Sequence, residues 1–132
     1  MKARTLFLAY IGAALLLAAP AAAHHSMLVQ FDLAKPITLR GVVTSVVWMN
    51  PHSWIFMDVT AADASVEHWR VETGSQFRMV KRGLKKTDFP AGAAVIVGGY
   101  NSRDGQLKAA GVVVTFPDRE ASGREATFSL GR

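Results

Sequence analysis

The chain has 132 residues, half of them hydrophobic, with a formal charge of +5, four histidines and no cysteine. That length accommodates one domain with a modest core. The lack of cysteine excludes a disulfide framework, a lipidated thiol and a cysteine nucleophile.

The first residues have the three parts of an export leader. Lys2 and Arg4 are the positive start, Leu6 to Ala19 is an uncharged apolar run, and Pro20 leads into the small residues Ala21-Ala22-Ala23. Cleavage is expected after Ala23, so residues 1–23 are a signal peptide helix and His24 becomes the mature N-terminus. The remaining 109 residues carry a formal charge of +3. This reading predicts a periplasmic or secreted protein with no stable membrane insertion once cut. An exported chain of this charge is not expected to meet nucleic acid.

Residues 24–36 read as an irregular lead-in anchored by Phe31 and Leu33. Ile37 to Met49 is rich in β-branched residues and predicts a long first strand. Its alternation changes parity between Val43 and Val46, which predicts a bulge near Thr44-Ser45. After Asn50-Pro51, a second strand spans Ser53 to Thr60, with Ile55, Met57 and Val59 on one face and Trp54 and Phe56 on the other. A third strand, Val66 to Thr73, places Trp69 and Val71 opposite His68, Arg70 and Glu72.

Ser75 to Arg82 reads as the single helix, capped by Ser75, with Phe77 and Val80 on one side and Gly83 ending it. Ala94 to Tyr100 and Lys108 to Phe116 are the fourth and fifth strands, joined through the turn signal Arg103-Asp104-Gly105. Pro117 to Arg132 reads as a polar, flexible tail. The predicted fold class is therefore mainly β, with a five-stranded domain over residues 37–116. A helix between the third and fourth of five strands is the order of an OB-like Greek-key barrel.

Seven motifs occur in a fixed order: His24-His25-Ser26, Phe31-Asp32, Pro36, Leu39-Arg40-Gly41-Val42-Val43, Trp48-Met49-Asn50-Pro51-His52, Trp69-Arg70-Val71-Glu72 and Arg103-Asp104-Gly105. Through about Phe116, the mature chain resembles a family of small exported bacterial proteins known as domain of unknown function 6152. The resemblance implies export and the domain type but no activity. Met49 stands where that pattern has a small polar residue.

Two candidate sites follow from the residues. A mature N-terminal His24 offers an amine and an imidazole as a chelating pair, with His25 and His52 as further nitrogen ligands. Such a set suits Cu(II), and less selectively Ni(II) or Zn(II). The alternative is a protein- or small-molecule-binding surface on the strands, formed by Trp54, Phe56, His68 and Arg70, without metal. The cations Arg78, Lys81, Arg82, Lys85 and Lys86 form a solvated face able to attract anions, lipid headgroups or acidic glycans among them. Nucleophile elbow, HExxH and phosphate-loop motifs are all missing, so the expected role is non-enzymatic binding of a metal ion or a periplasmic protein.

Overall fold

The structure, a computed structural model, describes residues 26–132. The leader expected at 1–23, and with it His24 and His25, lies outside the described residues. The fold is a mainly antiparallel six-stranded sheet with a few short helices.

Helix α1 (Ser26–Gln30) leads directly into strand β1 (Phe31–Val47), which begins six residues earlier than the sequence predicts. The lead-in is therefore regular, and Phe31 is 1% exposed whereas Leu33 is 43% exposed. Phe31 faces the interior; Leu33 sits at a register shift between Asp32 and Pro36, where the strand cannot hold its alternation. The expected bulge is present between Val43 and Ser45. Leu39 and Val43 are buried before it, and past it the inward parity passes to the half-buried Val46. The long strand thereby serves two partners: β4 pairs with Phe31 to Val42 and β2 with Val42 to Val47.

Strands β2 (Trp54–Thr60) and β3 (Val66–Glu72) form a hairpin whose inner pairs are Ile55 opposite Val71 and Met57 opposite Trp69. Its turn is set by Asp63, whose carboxylate accepts from the Ser65 backbone and hydroxyl at 3.0 and 2.6 Å. These bonds hold the Asp63 carboxyl below its usual pKa. Helix α2 (Gln76–Lys81) follows, with the Ser75 hydroxyl accepting from the Arg78 N–H at 3.2 Å. A 3-10 turn (Lys86–Asp88) then leads to β4 (Ala94–Ser102) and β5 (Lys108–Thr115). Gly105, at φ +74°, supplies the left-handed residue of their connection.

The edge of β5 away from β4 is divided. Lys108 to Ala110 pair in parallel with Arg70 to Glu72 of β3, and Val113 to Thr115 pair with a sixth strand, β6 (Thr127–Ser129). Pairing therefore runs from β3 through β2, β1, β4 and β5 and returns to β3.

Three expectations are corrected here. The segment after Phe116 is not a flexible tail: it forms helix α3 (Pro117–Ala121) and β6, and places Phe128 and Leu130 in the core at 8% and 0% exposure. Its polar composition conceals two apolar residues at strand spacing. Three α-helices are present among the described residues rather than one. In α2 the apolar side is also reversed, because Met79 alone is buried while Phe77 and Val80 are exposed. One short helix offers one inward position per turn, and Met79 fills it. No helix of the described residues is long and apolar enough to cross a membrane.

Candidate ligand-binding cleft

The β2–β3 hairpin turns a polar, half-exposed face outward. Register follows from the short turn: Thr60 lies opposite Val66, so Asp58 faces His68 and Phe56 faces Arg70. His68 Nδ1 lies 2.7 Å from Asp58 Oδ1. The Arg70 guanidinium donates to the Gln106 side-chain oxygen in the β4–β5 connection. Phe56 is half-buried between them. With Thr44 and Leu107, these side chains line an open cleft of about 780 Å³.

The connection that walls the cleft is tied down by Asp104. Its carboxyl pKa is lowered to about 2, first by the Ser102 hydroxyl and then by the Gln106 N–H, with Lys108 adding to the effect. The Gln106 N–H donates at 3.1 Å, and Lys108 Nζ lies 3.3 Å away. These partners all favour the ionised carboxyl, which accepts from the loop that walls the cleft.

The backbone of β3 is exposed beside this cleft. The Arg70 N–H donates to the Leu107 carbonyl at 3.1 Å, so it points away from β2. Along a strand, alternate residues direct their N–H and C=O to the same side. His68 therefore presents both groups on the side of Arg70, but β5 reaches only Arg70 to Glu72. Among the described residues no strand pairs with Val66 to Trp69 on that side.

Three of the four residues of the predicted strand surface, Phe56, His68 and Arg70, thus meet in one cleft. Trp54 lies on the same face but outside it, half-buried opposite Glu72. Gln106 and Leu107 were not predicted; only the long-range closure of the β4–β5 connection brings them in. Asp58 was readable from the hairpin register.

His52 stands elsewhere. Its Nδ1 lies 3.2 Å from Glu72 Oε1 and 3.3 Å from the Thr73 carbonyl. Glu72 departs from its predicted outward position, being 8% exposed. Arg132 explains this: its Nη2 lies 2.6 Å from Glu72 Oε1 and its Nε donates to the Glu72 carbonyl at 3.3 Å. The Nη2 contact is an ion pair without a hydrogen bond. Among the described residues no three His, Asp or Glu side chains converge as a metal site.

A family model described as "Family of unknown function (DUF6152)" matches residues 13–112. No curated protein matches the chain, and no solved structure does.

Proposed function

The chain belongs to the DUF6152 family, and on that footing we propose that it is an exported, non-enzymatic binding module built on an OB-like barrel. The barrel reading is supported by the pairing circuit through β3, β2, β1, β4 and β5, and by α2 between β3 and β4. Export is supported by the leader composition of residues 1–23. In OB barrels, ligands sit on the face of strands 2 and 3, against the loop joining strands 4 and 5. The cleft at Phe56, His68, Arg70 and Gln106 has that position.

The occupant is an extended polypeptide segment of a partner protein. One observation carries this: the unpaired backbone edge of β3 opens into the cleft, with His68 presenting a donor and an acceptor. An added strand would bond there, with an apolar side chain against Phe56 and Leu107 and an acidic or amide group at Arg70. Selection from a random peptide library on the isolated protein tests this. Phe56→Ala and Arg70→Ala should each weaken the selected peptides about tenfold. Peptides that bind both variants as well as the parent would refute the cleft.

One observation favours a second reading, Cu(II) held by His24, His25 and His52. Glu72 and the Thr73 carbonyl occupy Nδ1 of His52, the arrangement that orients a metal-binding imidazole through its other nitrogen. Cu(II) titration of the exported protein should then show binding lost in His52→Ala; binding indifferent to that change would remove this reading.

A further inference from the structure

We infer that the outer face of α2 docks onto an anionic phospholipid surface. This rests on features separate from the β3 cleft. Phe77 is 61% exposed and lies between two depressions of opposite character. On one side Trp48, Val80 and Phe77, with Asn50 and Gln76, line a largely apolar hollow of about 260 Å³. On the other, Arg78, Lys81, Arg82 and Arg132 line a basic groove of about 340 Å³. The Gln76 N–H donates to the Met49 carbonyl at 3.1 Å, which brings the exposed Met49 to the same tip.

The exposed charge around this tip has one sign, whereas Arg132, deeper in the same groove, is neutralised by Glu72. Arg78, Lys81, Arg82, Lys85 and Lys86 are all exposed, and no ion pair among the described residues uses any of them. Asp88, the first acid after them, is taken by Arg119. Lys81 Nζ lies 4.5 Å over the Phe77 ring, so cation and apolar surface are presented together.

A few apolar side chains ringed by lysines and arginines match hydrocarbon beneath anionic headgroups. The tip combines this apolar set with five exposed cations that no acidic side chain among the described residues pairs. Its long basic side chains suit a diffuse anionic layer better than a shaped pocket.

Co-sedimentation with vesicles tests the inference, using phosphatidylcholine alone against phosphatidylcholine with phosphatidylglycerol. The protein recovered from the expressing cell should partition to the anionic vesicles, less so as salt rises. Phe77→Ser with Val80→Ser should weaken partition about tenfold, and Lys81→Glu with Arg82→Glu by a comparable factor. All four side chains are exposed, and an unchanged melting temperature certifies the variants as folded. Equal partition to both vesicle types, or partition untouched by either pair, would overturn the inference. So would a change in oligomeric state on Phe77→Ser with Val80→Ser, which would make the tip a contact between copies.

Discussion

Glu72 shows what a single side chain does in this molecule. It sits on the parity of His68 and Arg70, whose side chains face solvent, yet its own is largely buried. A carboxylate in that position requires compensation, which Arg132 gives at 2.6 Å and His52 at 3.2 Å. Removing one member of such a group leaves the other charge buried and unpaired. Glu72→Ala should therefore cost about 3 kcal/mol, read from urea unfolding, because the Arg132 guanidinium loses its counter-charge. A cost within the scatter of surface substitutions would show that Arg132 turns out to solvent instead. Strand alternation alone predicts Glu72 outward, because its partner lies 60 residues downstream.

Strand and turn features with local causes were legible. The bulge at Val43/Ser45 came from a change of parity, and the Ser75 cap and the Asp104-Gly105 turn came from residue chemistry. Features that depend on distant packing were not. Nothing near Phe77 and Val80 reveals that Met79 takes the inward position, and the sixth strand is hidden in a polar segment. The structure ties that segment down: Leu130 bonds through its N–H to Val112 and through its carbonyl to Gly74, both at 2.8 Å. A Cβ on Gly74 would collide with the Gly131 carbonyl, so the close approach requires glycine there. Leu130→Ala should cost about 3 kcal/mol, as for other fully buried leucines, and should raise amide exchange along Val112 to Val114. A near-neutral effect in thermal unfolding would mean that this segment contributes little to the core.

For the molecule as a whole, the division of one strand edge is the organising feature. Strand β5 gives one stretch to β3 and another to β6, so the edge of β3 away from β2 has no strand partner from Val66 to Trp69 among the described residues, beside a cleft that holds Phe56, Arg70 and Gln106. Three cleft residues could be named from the sequence because they belong to one hairpin with a fixed register. The wall opposite them could not, because it is built by a connection 36 residues from Arg70. The central claim is that this edge receives an extended segment, and amide hydrogen exchange at His68 measures it most directly. With a library-selected peptide bound, the His68 amide should exchange at least about tenfold more slowly, while exposed amides remote from the cleft stay unchanged. A His68 amide that exchanges at its unbound rate under saturating peptide would contradict the account.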